Sequence, residues 1–282
     1  MAEQCIGLGR GFRPLILAFA GGLAFAAAQP AQGQALDDKY WIAIAGYWPS
    51  ADSSGTLSRP NAPGTDIDFE SDLGIDKSKV LPSVTGGAKF GRFVVQAEYY
   101  ALDRNGSRTL TRDLMFDGVT YPANVSVGSK FDSNIYRGSI GYIFLRSDQA
   151  ELGASIGLHV TDFKLTLNGQ GQVGNSPVRT SQRSGHDFLA PLPTVGLFGT
   201  YEVAPKVILN GRVDYLSLNV GDYDGGVLNL EATAAYRFNQ TFQVGAGWRY
   251  VDYNLDVNKD NYTAKVDYKF SGPLVFLRLG FR

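Results

Sequence analysis

Five carboxylates crowd the stretch DIDFESDLGID, residues 66–76: Asp66, Asp68, Glu70, Asp72 and Asp76. Oxygen clusters of this kind suit Ca²⁺ or Mg²⁺. If the segment is extended, the acids share one face, and Ile67, Phe69, Leu73 and Ile75 take the other. The twelve-residue calcium loop fails as a template, because position six is Ser71 rather than Gly and position twelve is Lys77 rather than Glu. Two readings stand: a cation-binding loop built from Asp66, Asp68, Glu70 and Asp72, or an amphipathic strand with a solvated acidic edge. The failed spacing favours the strand. A second motif, GQGQVG at 169–174, matches a dinucleotide fingerprint. That fingerprint must open a helix, and NSPVRTSQRSG with its internal Pro177 does not start one. It reads as a loop tip. No G-x-S-x-G, H-E-x-x-H or P-loop occurs, and the sequence implies no cofactor.

The histidines are His159 and His186. His159 lies in AELGASIGLHV, where Leu152, Ala154, Ile156, Leu158 and Val160 alternate with Glu151, Gly153, Ser155, Gly157 and His159. Strict alternation is the period of a strand. The chemistry open to His159 therefore depends on which set faces inward.

The 282 residues carry a formal charge of −1 and a mean hydropathy of −0.11, which offers nothing to nucleic acid. The one long apolar run comes first. Arg10 and Arg13 precede PLILAFAGGLAFAAA, and small, polar residues follow. That order describes a secretory signal peptide, assigned to residues 1–35, with cleavage after Ala35 or alternatively after Ala28. The segment contains Cys5 and leaves a mature chain of charge −2 without cysteine. Residues 36–282 then form one domain stabilised by ladder hydrogen bonds and packing.

Period-2 alternation recurs through that domain and gives ten strands: 40–49, 80–90, 93–104, 124–145, 150–167, 192–203, 206–220, 226–238, 241–256 and 262–281. Connections alternate between tight (91–92, 146–149, 204–205, 239–240) and long (50–79, the extended hairpin 105–123, and 168–188). Short turns at one end, long loops at the other and an even strand number fit a closed antiparallel transmembrane β-barrel in an outer membrane; eight or twelve strands are alternatives. Apolar stripes such as Phe242, Val244, Ala246, Trp248 and Tyr250 would face lipid, with aromatic residues at both ends. The opposite faces would line a polar lumen carrying Glu98, Arg137, Glu151, His159, Arg212, Asp214, Glu231, Arg249 and Arg278.

The chain ends on PLVFLRLGFR, whose Val275, Leu277, Leu279 and Phe281 share a face. Bacterial outer-membrane strands end in this way, and such a strand would be handed to the barrel-assembly machinery. The sequence resembles a widespread family of uncharacterised outer-membrane β-barrel proteins of Gram-negative bacteria. The resemblance rests on DIDFESDLGID (66–76), YYALDRNGSRTLTRDLMFDGVTYP (99–122), YRGSIGYIFL (136–145), ELGASIGLHV (151–160) and GWRYVDYNLD (247–256). It implies location and fold, and no activity.

Enzymatic barrels set a comparison. One ten-stranded protease family uses a carboxylate pair with an Asp-x-His-like pair. Asp66 and Asp68 could imitate the first, but His186 and Asp187 are adjacent and would face opposite sides of a strand. Lipid A deacylases use a lipid-facing His-x-Ser; HVT at 159–161 replaces Ser with Thr, and His159 points inward by parity. The expected protein is therefore not an enzyme. It is a structural or surface-interacting barrel that meets outer-membrane lipid and lipopolysaccharide through basic tips at Arg104, Arg108, Arg112, Arg179 and Arg183. A narrow channel for small solutes is the alternative and a hydrolase a remote third. About eight strands already fill their lumen with side chains, whereas aqueous channels need about sixteen.

Overall fold

The chain's alternation is realised as strands throughout. The computed structural model describes the backbone of residues 36–173 and 179–282, and their side chains outside 172–191 and Val220. Its strands are β1 (Tyr40–Tyr47), β2 (Ser50–Ser58), β3 (Ile67–Asp68), β4 (Leu81–Phe90), β5 (Phe93–Thr109), β6 (Leu114–Phe116) and β7 (Val119–Tyr121). They continue with β8 (Ser126–Arg146), β9 (Ala150–Val173), β10 (Arg179–Ala204), β11 (Val207–Val220), β12 (Tyr223–Arg237), β13 (Phe242–Lys259) and β14 (Tyr262–Phe281). Ten of them close an antiparallel ring, β1-β4-β5-β8-β9-β10-β11-β12-β13-β14, sealed by the β1–β14 ladder. The expected signal peptide lies outside the described residues.

Tight turns and both ends of the barrel domain gather at one rim. Phe90 pairs with Phe93, Ala204 with Val207 and Tyr40 with Phe281. From that rim the strands run far beyond a bilayer. A membrane takes about 9–11 tilted residues per strand, whereas β9 and β10 have 24 and 26. The expected extended hairpin at 105–123 prolongs a ladder in which β5 and β8 pair out to Thr109–Ser126, and 168–188, expected as a loop, is strand over its described backbone, with β9 and β10 pairing out to Gly171–Arg179. Gly and Asn do not break these ladders, which continue in register on the β5–β8 and β9–β10 sides.

Polarity inverts along the strands while the backbone parity does not. On β9, Leu152, Ile156 and Leu158 are exposed on the outer wall, and Ile156 is 67% accessible. Five residues beyond Leu158 the inward positions become apolar: Phe163, Leu165 and Leu167 are buried. The same exchange occurs on β13, from outward Trp248 to inward Tyr253 and Leu255. It recurs on β14, from outward Leu277 and Val275 to inward Phe270 and Tyr268. The lower half is thus apolar outside and polar inside, and the upper half is the reverse. Exposed Tyr40, Phe90, Phe93, Phe144, Phe238 and Phe281 ring the lower edge of the apolar belt; Tyr99, Tyr136, Tyr215 and Trp248 ring its upper edge. Water excludes both apolar surfaces, so the belt requires lipid around it and the upper interior requires a core.

Residues 50–78 complete that core. Ser50 meets Ser271 in the register that Tyr47 and Leu274 set, so β2 prolongs β1 beside β14 across Trp48–Pro49. The chain then turns into the mouth: β3 pairs with β2, and Ile75 bridges to Gly106. Ile67 and Leu73 are fully buried, and Phe69 packs 5.2 Å from Phe131. A Cβ on Gly106 would meet the Gly74 carbonyl and the Ile75 nitrogen at 2.6 Å, so only glycine admits this approach. Each buried aliphatic or aromatic side chain contributes about 1.5–3 kcal/mol.

Among the described residues, one charged pair sits inside this core. Glu70 accepts from Arg104 Nη1 at 2.5 Å and from Ser53 Oγ at 2.6 Å, while Arg104 lies 5.4 Å over the Phe131 ring. Arg104 is 1% exposed, which corrects its expected place at a basic tip. Its parity on β5 is inward, and the strand continues past residue 104 where a loop was expected. Arg108 is exposed, as expected of a tip, and Arg112 pairs with Asp72 at 2.6 Å on the surface.

Candidate functional site

The polar lower lumen holds most of the charged side chains that face inward, in two layers. The strands position the first by register. Arg137 on β8 stands opposite Glu98 on β5, and Glu231 on β12 lies between Arg212 on β11 and Arg249 on β13. Glu98 accepts from Arg137 and from Arg249 Nη1 at 2.6 Å. Arg137 also donates to Asp214, which accepts from Arg212 Nε at 2.8 Å and from Asn229 Nδ2 at 3.2 Å. Arg249 Nε donates to Asn229 Oδ1 at 2.9 Å. The sequence Glu98–Arg137–Asp214–Asn229–Arg249–Glu98 is therefore a closed cycle of side chains across the bore. Asn229, 1% exposed, is the amide that joins its two halves. Tyr47 Oη donates to the Arg249 carbonyl at 3.1 Å, and Arg249 stacks 4.8 Å over Tyr100. Buried charges need such pairing, because an unmatched one keeps its desolvation cost.

The second layer lies at the rim of tight turns. Glu151 pairs with Lys89 at 2.6 Å and with Arg146 at 3.2 Å. Asp38, from the segment before β1, takes Arg237 at 2.9 Å and Arg278 at 3.6 Å, with Arg278 stacked 4.9 Å over Trp41. Lys89 also donates to the Leu36 carbonyl at 2.9 Å, so this segment lies across the strand ends. Between the layers is a cavity of about 200 Å³.

The nine lumen residues named from sequence all face inward, but they do not form one network. Glu98, Arg137, Arg212, Asp214, Glu231 and Arg249 come together; Glu151 and Arg278 belong to the lower layer. His159 is 2% exposed and makes no ion pair among the described residues; its Nε2 has no hydrogen-bond partner, and its ring lies 6.2 Å from that of Tyr253. It marks the floor of the apolar core. Thr161 is buried beside it, inside the barrel rather than against lipid. The side chain of His186 lies outside the described residues.

Sequence reasoning missed Asp38 and Lys89. Lys89 was findable, since it continues the inward parity of Leu81, Ser83, Thr85 and Gly87; Asp38 precedes the first strand and carries no periodic signal.

The acids of 66–76 do not converge. Glu70 is turned into the core toward Arg104, Asp72 pairs with Arg112, and Asp66 accepts from Thr56 at 3.3 Å. Asp68 caps its own turn, accepting from the Ser71 nitrogen at 2.6 Å. Among the described residues no three acids, histidines or cysteines are grouped to hold a metal ion. The segment is not one extended strand, because a turn begins after Asp68 and sends Glu70 and Phe69 both inward.

No family model matches the chain, and no curated protein does. Solved structures do. The outer membrane protease OmpT of Escherichia coli superposes with a TM-score of 0.54 over 86% of this chain and 97% of that one, at 12% identity. That likeness establishes the fold. Together with the apolar belt bounded by two aromatic rings, it decides the setting. The protein is an outer-membrane β-barrel. The toluene transporter TodX of Pseudomonas putida is more distant, at a TM-score of 0.36 and 9% identity over 92% of this chain and 94% of that one. In the outer-membrane barrel described here, the rim of tight turns is the periplasmic end and the elongated strands stand outside the cell.

Proposed function

We propose that this barrel is closed to solutes and non-enzymatic, and that it acts through its extracellular half as a structural or surface-interacting protein. One observation carries the reading: the bore is filled at two successive levels. The side-chain cycle of Glu98, Arg137, Asp214, Asn229 and Arg249 crosses it in the membrane, and the apolar core of Phe131, Phe163, Tyr253, Tyr268 and the 67–75 insert fills it above. A core above the bilayer holds the long strands rigid and leaves their outer faces polar. Exposed Lys130, Lys265 and Lys269 alternate there with Asp103, Asp132 and Asp267. Lipopolysaccharide is the partner this surface and the exposed Arg108 would meet first, and the apolar terminal strand suits delivery to the barrel-assembly machinery. His159 supports the non-enzymatic reading, since its Nε2 has no hydrogen-bond partner among the described residues and a general base must be within hydrogen-bond reach of the proton it takes.

Planar-bilayer recording of the refolded mature chain tests the proposal, after a gel mobility shift confirms folding. The expected trace is silent at neutral pH. Steady, reproducible openings from folded protein would overturn the closed bore and establish a narrow channel instead.

A further inference from the structure

The closed-bore reading leaves the cavity between the two charged layers unused. We propose that it binds a small zwitterion, a primary amine and a carboxylate joined by a short apolar chain, reached from the periplasmic end. Binding at this site does not depend on whether the barrel conducts; its entry from the periplasmic end rests on the closed-bore reading.

The argument is about which charges are already committed. Lys89, Arg137, Arg212 and Arg249, all lining the cavity, each hold a carboxylate within 2.8 Å. Glu98, Asp214 and Glu151 are consumed in those pairs. Two lining groups remain underused. Glu231 has its nearest cation, Arg249 Nε, at 3.9 Å, and its side chain is 31% exposed. Arg278 has its nearest acid, Asp38, at 3.6 Å, and its Nε has no hydrogen-bond partner. A half-satisfied charge in a confined lumen is costly, and a ligand of opposite charge relieves it.

Arg278 offers a planar fork for a carboxylate, and Glu231 offers acceptors for an ammonium. Arg278 pairs in register with Gln243, and Gln243 with Arg237, six residues below Glu231 on β12. Six residues are about 20 Å of strand, a separation that two long side chains reduce to the length of a short linear molecule. Trp41, Leu274 and Phe276 line the same space and would pack its apolar middle. The volume of about 200 Å³ is below the roughly 300–1,000 Å³ of drug-sized pockets, which restricts the ligand to small metabolite size. Above, the side-chain cycle and the apolar core close the way, so entry is past Leu36–Lys39.

The test is titration of the refolded protein in detergent micelles with δ-aminovalerate, followed by tryptophan fluorescence, because Trp41 lines the cavity. Valerate and amylamine are the single-charge controls. Saturable binding of δ-aminovalerate is expected, with both controls weaker by about tenfold or more, as loss of one charged hydrogen-bonded contact implies. Glu231→Gln should weaken δ-aminovalerate about tenfold and leave valerate unchanged, whereas Arg278→Gln should weaken both. Should Arg278→Gln fail the gel mobility shift, Arg278→Lys keeps the charge, loses the fork, and should weaken both carboxylates. No saturable response, equal affinity for all three compounds, or indifference of δ-aminovalerate to Glu231→Gln overturns the site.

Discussion

The membrane half and the extracellular half of this barrel use one ladder and opposite chemistry. Below the ring of Tyr99, Tyr136, Tyr215 and Trp248 the outer wall is apolar and the interior is ion-paired. Above it the interior is a conventional core and the wall is charged. No bulge marks the exchange on β5 or β13, whose pairing with β8 and β14 runs unbroken through it. What changes is the solvent on the outside. Because side chains alternate strictly, moving the apolar set by one residue transfers it to the other face, and that single slip in pattern fits each half to its surroundings. Charged groups are buried in both halves, but in different company: below they sit in a connected cycle, and above, among the described residues, in the Arg104–Glu70 pair.

That isolated pair gives the largest expected effect. Arg104→Met leaves Glu70 buried with its cation gone, and should cost about 3–5 kcal/mol of unfolding free energy. Restoring consistency should recover most of it: in Arg104→Met combined with Glu70→Leu the buried charge is absent, and apolar replacements of buried pairs are often neutral or stabilising. Denaturant midpoints in micelles check both. A double variant as unstable as the single one would show that the pair positions the insert through its geometry, beyond merely cancelling charge.

The contrast between the two walls gives the next effect. Ile156→Arg places a guanidinium in the centre of the lipid-facing belt and should cost about 2–4 kcal/mol. Ser107→Arg puts the same side chain on the outer face of β5 above the belt, and should stay within about 0.5 kcal/mol. Refolding into vesicles and comparing the two midpoints measures the difference. Equal costs would mean that the wall is not divided between lipid and water at the aromatic ring.

The ten ring strands were legible in the sequence because period 2 is visible whichever face is apolar. The inversion was also written there, in β13, where Trp248 and Tyr250 give way to Val251, Tyr253 and Leu255 inside the strand read over 241–256; it was missed because the outward stripe was read only as far as its aromatic end. The insert was less legible. The alternation of DIDFESDLGID suggested a strand with an acidic edge, and nothing local says that Glu70 leaves that edge for an arginine 34 residues away. The inward parity of the nine lumen residues followed from the stripes, but their division into two layers depends on strand tilt and on Asp38, which lies outside any periodic segment.

The smallest effect probes the lumen's own packing. Phe198 lies across two glycines of neighbouring strands: a Cβ at Gly153 would meet its Cζ at 2.3 Å, and one at Gly141 its Cε1 at 2.6 Å. In the extracellular half such a ring would be locked by other rings. Here Phe198 borders the lumen cavity, and the glycines form the shelf it rests on. Gly153→Ala should therefore cost about 1–3 kcal/mol as overpacking, against the roughly 0.5–1 kcal/mol that alanine returns in a strand interior. In a Phe198→Leu background the clash is gone and the same alanine should be neutral or stabilising, so a double-mutant cycle should give a coupling of about 1 kcal/mol or more. Without coupling, the ring swings freely into the cavity and the lower lumen is soft, unlike the close-packed core above it. Strong coupling would make Phe198 a fixed wall, and the shape of the cavity would then be set by glycine in the strands as much as by the charges that line it.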